Sequence, residues 1–177
     1  PDLRISPSEG KVFVPEGEAY EWLLEQESVS QMNQVLQEQV FISYGGQQSV
    51  AIAKGVDGDY QLDSPLRYQM RDGKYEFWKG QIPEAIVGMG LANKMGLNPR
   101  LLTGIEIYFP ARTRKISMTN PAASIERIKV WPAGCFSVNS EIDNSYLLLD
   151  ICKMRELLEY TDEVSAVEVR FNEDTPE

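Results

Sequence analysis

The chain has 177 residues, with 17 Lys and Arg against 27 Asp and Glu, no His, and a formal charge of −10. That length suits one domain, or one domain with a small inserted subdomain, and leaves enough chain to bury a core. The ordinary hydrophobic and charged fractions exclude disordered and collagen-like classes. The missing imidazole excludes Ser–His triads, Cys–His dyads and His-ligated zinc, and the acidic balance opposes nucleic acid as a main partner.

In chain order, residues 3–14 alternate up to Pro15 and predict a first strand, with Gly10 as a bend or bulge. Pro15, Glu16 and Glu18 suit a helix start, and Ala19, Tyr20, Leu23 and Leu24 form one apolar stripe, so residues 16–26 predict a short amphipathic helix. Val40, Ile42 and Tyr44 alternate towards Gly45-Gly46, and Val50, Ile52 and Val56 resume the alternation afterwards, which is a hairpin signal. The stretch from about Asp57 to Ala133 is rich in Pro and Gly and breaks this pattern. It predicts short pieces: a strand at Ala85–Val87, a helix at about Leu91–Met95 and a strand at Ile105–Phe109.

Tyr146 to Leu149 predicts a buried strand, Asp150 the cap of a helix beginning at Ile151, and Val167, Val169 and Phe171 a final strand. Two strand–helix–strand units bracketing a hairpin predict an α+β, ferredoxin-like βαββ…βαβ layer with a strand-rich insertion. In such a layer the last strand lies antiparallel beside the first. Val50, Ile52, Leu157, Val167 and Val169 are expected to share its core, independent of the insertion.

No apolar run approaches the roughly 18 to 20 residues needed to cross a bilayer. No basic-then-apolar leader is present, and the opening Pro1-Asp2 reads as a processed or excised piece. Cys135 and Cys152 are expected as small buried thiols, with a disulfide between them as the alternative.

Catalytic signals are thin. Gly88-Met89-Gly90-Leu91-Ala92-Asn93 stands where a dinucleotide fingerprint would, but its sixth residue is Asn, so it reads as a turn into a helix. Asp57, Asp59, Asp63 and Asp72 lack the spacing of a calcium loop and read as solvated acids. The chain is therefore expected to be non-catalytic, with no cofactor and no metal. The one strongly biased segment is Ala111–Lys129, where Arg112, Arg114, Lys115, Arg127 and Lys129 face Glu126 alone, a local charge of +4 in a chain at −10. Its polar and proline residues predict a projecting hairpin at about 110–128. Such a tip suits contact with an acidic protein or lipid headgroups.

Several segments together resemble one family. Asp2-Leu3-Arg4-Ile5-Ser6-Pro7 with Gly10-Lys11-Val12-Phe13 is similar to the opening of the periplasmic domain of FtsX-like, MacB-type ABC permeases. Ala53-Lys54-Gly55-Val56-Asp57, the run Ile86 to Leu97, Gly134-Cys135-Phe136, Asp143 to Leu149 and Met154 through Val169 continue the likeness in the family's order. Tyr108-Phe109-Pro110, a polar basic insert and a return at Ile128–Trp131 look most like the hook hairpin of the lipoprotein-releasing permeases.

The resemblance implies a discontinuous porter subdomain at 1–56 and 137–177 and an inserted Sabre-like subdomain at 57–136. It implies an extracytoplasmic, periplasmic domain of an inner-membrane protein, lying between two membrane helices and transmitting motion driven by a cytoplasmic ATPase subunit. A second permease copy, a periplasmic lipoprotein carrier or adaptor, and lipoprotein cargo are the implied partners. Arg112, Arg114, Lys115, Ile116, Met118 and Pro121 are the candidate partner-binding residues. The alternative function is a MacB-like efflux permease exporting antibiotics, toxins or peptides through an adaptor. Activation of cell-wall hydrolases, as in the FtsX branch, fits the large insertion less well.

Overall fold

The computed structural model describes residues 1–62, 64–112 and 124–172. Its elements run β1 (Leu3–Ile5), α1 (Glu18–Leu24), β2 (Val29–Tyr44), β3 (Gln47–Val56), α2 (Gly58–Leu62), a 3-10 turn (Pro65–Gln69), β4 (Met70–Gly73), β5 (Trp78–Lys79) and β6 (Ile82–Gly88). They continue with α3 (Met89–Met95), β7 (Ile105–Pro110), β8 (Ile125–Phe136), α4 (Ser140–Ser145), β9 (Tyr146–Asp150), α5 (Ile151–Leu158) and β10 (Ala166–Phe171).

The sheet order is β1-β10-β2-β3-β9-β6-β8-β4, with β7 pairing both β2 and β8. The pairings β2–β3–β9–β6–β8–β7–β2 therefore close on themselves as a six-stranded, barrel-like ring. Strand β2 makes this possible because it is long: β10 covers one edge from Val29 to Val35, and β7 covers the same edge from Phe41 to Ser43. A strand that twists over 16 residues can belong to two differently oriented parts of one sheet.

This closure corrects the expectation of a ferredoxin-like layer with a separate insertion. The middle stretch supplies β6, β7 and β8 to the ring, and β9 sits between β3 and β6, so the sheet does not divide at residues 57 and 136. One core fills the ring, with Leu36, Val40 and Ile42 from β2, Ile105, Ile107, Ile128 and Val130 from the β7–β8 hairpin, and Leu147 and Leu149 from β9. Helix α5 extends this core with Ile151, Met154, Leu157 and Leu158. On the opposite face Val56, Ile86, Leu148 and Phe136 pack beneath Phe77, Tyr60, Leu66 and Tyr75 of the middle stretch.

Local chemistry explains most of the elements. Gly45 and Gly46 turn the β2–β3 hairpin at φ 56° and 87°, the left-handed pair that this turn requires. Asp150 accepts the Cys152 amide at 2.8 Å and caps α5 as expected. The first and last strands pair antiparallel, Leu3 with Val169 and Ile5 with Val167, as the sequence predicts.

Three expectations fail locally. The strand predicted for residues 3–14 survives only as β1 and a bridge from Phe13 to Val164, because Pro7 lacks a donor and Gly10 turns at φ 79°. Helix α1 forms within the predicted range and its Tyr20 packs against the core, but the stripe holds no fully buried residue and Leu24 is exposed. Val50 and Ile52 do not join the core, since the inward residues of β3 are Ala51 and Ala53. Small inward residues let α5 approach: a Cβ on Gly55 would lie 2.6 Å from Met154 Cγ.

Candidate partner-binding surface

The β7–β8 hairpin carries the candidate surface. Its strands pair from Ile105–Val130 to Pro110–Ile125, and one rung further the Ala111 amide donates to the Ser124 carbonyl at 2.8 Å. Alternation sends Ile105, Ile107, Ile128 and Val130 into the core and leaves Glu106, Tyr108, Arg127 and Lys129 on the other face.

Register aligns that face with the neighbouring strands. Val50, Phe41, Tyr108 and Arg127 form one cross-strand row, Phe41 being the Cα partner of both Val50 and Tyr108. Phe41 is 53% exposed and Val50 44%, so a β-branched and an aromatic residue stand side by side in solvent. Tyr108 Oη donates to Glu106 Oε2 at 2.5 Å, and that carboxylate holds the phenol above its ordinary pKa. Further along, Trp131 Nε1 donates to the Leu102 carbonyl at 3.2 Å, and the Lys129 ammonium lies 5.6 Å from the Trp131 ring. Leu102 itself is 95% exposed. The result is an apolar, aromatic strip bordered by the cations Arg127 and Lys129.

Of the candidate residues, Arg112 is described and Arg114, Lys115, Ile116, Met118 and Pro121 lie outside the described residues. Arg112 is engaged by its own chain. Its amide donates to Glu159 Oε2 at 2.6 Å, its Nη2 donates to the Glu159 carbonyl at 2.8 Å, and its guanidinium stands 4.2 Å over the Tyr160 ring. Glu159 ends α5 in the left-handed region at φ 55°, the only non-glycine residue there among the described residues. A guanidinium on the carbonyl end of a helix is favoured by the helix dipole and offsets the strain of that conformation. Arg112 thus fixes the base of the hairpin to α5.

The remaining motifs resolve into structure. Gly88 and Gly90 allow α3 to pack on α4: added Cβ atoms would lie 2.4 Å from the Asp143 carbonyl and 2.1 Å from Asn144 Oδ1. Asp57 caps α2 by accepting the Tyr60 amide at 3.1 Å and also takes the Gln34 amide at 2.5 Å; burial still raises its pKa. Asp72 pairs with Arg100 at 3.3 Å. Cys135 is buried and pushed up to about 11 by desolvation, whereas Cys152 is exposed, which corrects the expectation for that thiol; both are free. Among the described residues no cluster of three or more His, Cys, Asp or Glu is arranged to hold a metal.

Sequence reasoning missed the exposed row, although the alternation of Val40, Ile42 and Tyr44 already puts Phe41 on the opposite face. The Gly45-Gly46 turn then sets the register that brings Val50 beside it.

No family model matches the chain, and no curated protein matches it in sequence. Its fold is like that of solved structures. The periplasmic region of MacB from Actinobacillus actinomycetemcomitans aligns at 10% identity and TM-score 0.58, over 93% of this chain and 75% of that one. The extracellular domain of the noncanonic ABC-type transporter YknZ from Gram-positive bacteria aligns at 14% identity and TM-score 0.56, over 97% and 85%. A permease domain from Porphyromonas gingivalis aligns at 13% and 0.56, over 92% and 65%. The chain therefore has the fold of MacB-type extracytoplasmic permease domains.

Proposed function

We propose that this chain is the extracytoplasmic domain of an ABC-transporter permease that passes ATP-driven motion from the membrane to a partner outside the cytoplasm. The observation that carries the reading is the likeness of fold to three permease or transporter domains across more than nine-tenths of the chain. The pairing of β1 with β10 supports it, because the chain then enters and leaves at one edge, as a domain inserted between two membrane helices must. Among the described residues no helix is long and apolar enough to cross a membrane. ATP hydrolysis falls to a separate cytoplasmic subunit, and the domain has no catalysis of its own.

The finer reading is lipoprotein release, with the β7–β8 hairpin docking a periplasmic carrier. Its support is the Tyr108-Phe109-Pro110 hairpin, fastened at its base by Arg112 and flanked by the exposed Phe41–Tyr108 row. Rim cations govern association rate, and apolar anchors govern dissociation. The test is purification of the full-length gene product from membranes, followed by reconstitution with a fluorescent lipoprotein and a soluble carrier. Co-purification of an ATPase subunit and ATP-dependent transfer to the carrier are expected. An ATPase partner with no lipoprotein transfer, but with export of a small toxin or peptide, would replace release by efflux.

A further inference from the structure

A polar site unrelated to the hairpin lies on the sheet face opposite α5. Arg4 on β1 and Asn33 on β2 are the two register partners of Glu168 on β10. Lys54 on β3 reaches Glu168, its Nζ donating at 3.0 Å to each carboxylate oxygen, and it stands 4.9 Å from the Tyr60 ring. Arg4 Nη1 donates to Glu168 Oε1 at 3.4 Å. The side chains of Lys54 and Glu168 are only 14% and 5% exposed. Asn33 is 4% exposed, and its Oδ1 has no hydrogen-bond partner.

Two cavities meet here and share Lys54, Tyr60, Leu66 and Val138 as walls. One, of about 310 Å³, reaches Asn33, Glu168 and Arg170; the other, of about 210 Å³, reaches Arg4. Among the described residues Glu168 is the only acid on either wall, against Lys54, Arg4 and Arg170, so the wall side chains carry +2 in a chain at −10.

Burying paired charges gives a fold less stability than an apolar pair of the same shape, and an unpaired buried acceptor is a further cost. Packing alone does not account for this cluster. We propose that the cavity binds a phosphate monoester, either a free polyol or sugar phosphate or the headgroup of a lipid. A monoester carries roughly −2 at neutral pH, which matches the walls. The phosphate lies against Arg170 and Lys54, and the carbon skeleton rests on Leu66 and Val138. Glu168, held by Lys54 and Arg4, is shielded from the anion.

The test titrates the 177-residue chain with sn-glycerol 3-phosphate, followed by calorimetry and amide NMR shifts, with inorganic phosphate and glycerol alongside. Saturable binding is expected, with shifts centred on Asn33, Lys54, Tyr60 and Arg170 and affinity about tenfold above inorganic phosphate. The double variant R4Q/R170Q, altered at two partly exposed positions, should keep its melting curve and lose about tenfold or more in affinity. A second arm uses phosphatidylcholine vesicles with and without phosphatidic acid. Binding only to the vesicles with phosphatidic acid sustains the site and puts its phosphate on a lipid. No saturation by glycerol 3-phosphate at several times a millimolar Kd and no binding to those vesicles overturns the proposal. So does equal binding to both vesicle types. Neither result bears on the permease reading, which the site does not require.

Discussion

Replacing Gly88 by Ala tests whether the Gly88-Met89-Gly90 motif serves packing. The new methyl would stand 2.4 Å from the Asp143 carbonyl oxygen and 2.8 Å from its carbon, all backbone atoms. Ordinary contact lies near 3.5 Å, so α4 or β6 must move by roughly 1 Å. The Asp143 segment is poorly able to yield. Its carboxylate accepts the Ser137 hydroxyl and the Val138 amide, both at 2.7 Å, and its own amide donates to the Asn139 carbonyl at 2.8 Å. Overpacking of this kind costs about 1–3 kcal/mol. For a domain of this size that lowers Tm by about 2–12 °C. Gly58→Ala is the control, since nothing lies within 4 Å of its Cβ position at the start of α2, and it should stabilise by about 0.4–1 kcal/mol. Urea melts should show a lower midpoint for Gly88→Ala with an unchanged slope. A Gly88→Ala protein that melts with the parent would refute the packing account and reopen a ligand-cradling role for the loop.

Three further outcomes are expected. Excising residues 57–136 behind a Gly/Ser linker should abolish the cooperative urea transition, because three of the six ring strands leave with the segment; a sharp transition would instead establish the outer units as a self-sufficient layer. Burial alone would raise the Asp150 pKa, but hydrogen bonds from Gln61, Trp78 and the Cys152 amide outweigh it and hold the carboxyl below 3.8. A depressed carboxylate stabilises above its unfolded pKa and loses that contribution as pH falls through the folded one, so urea midpoints of Asp150→Asn should fall less than the parent's on acidification below about pH 4; parallel curves would be the contrary result. Arg112→Gln should speed exchange of the Ala111 amide, which donates to the Ser124 carbonyl, while leaving exchange in β9 untouched, and uniform exchange rates would show that Arg112 does not fasten the hairpin.

Local signals were legible where a single residue decides a local geometry. Gly45-Gly46 marked the hairpin, Asp150 marked the start of α5, and the terminal alternation marked β10 beside β1. Ring closure was not legible. It depends on β2 running on past its β10 partner to meet β7, and no local pattern states which strand a free edge will find. Strand β8 was read too short because Pro132 and Gly134 argue against a continuous strand. The register shift between Ala85 and Ile86 on β6 and the close approach of Gly134 to β4 accommodate them. The candidate surface was half legible: the charge excess marked the hairpin, but Arg112 turned out to serve its own α5. The Lys54–Glu168 pair joins residues 114 apart in sequence, and only the fold brings them together.

The central claim is that this domain lies outside the cytoplasm, and thiol labelling of the full-length gene product in its own cells tests it most directly. Cys152 is exposed on α5, whereas Cys135 is buried. A membrane-impermeant maleimide, added to cells with a permeabilised outer envelope and an intact cytoplasmic membrane, should label the protein at Cys152, and Cys152→Ser should remove that label. Labelling of Cys152 only after the cytoplasmic membrane is broken would contradict the account.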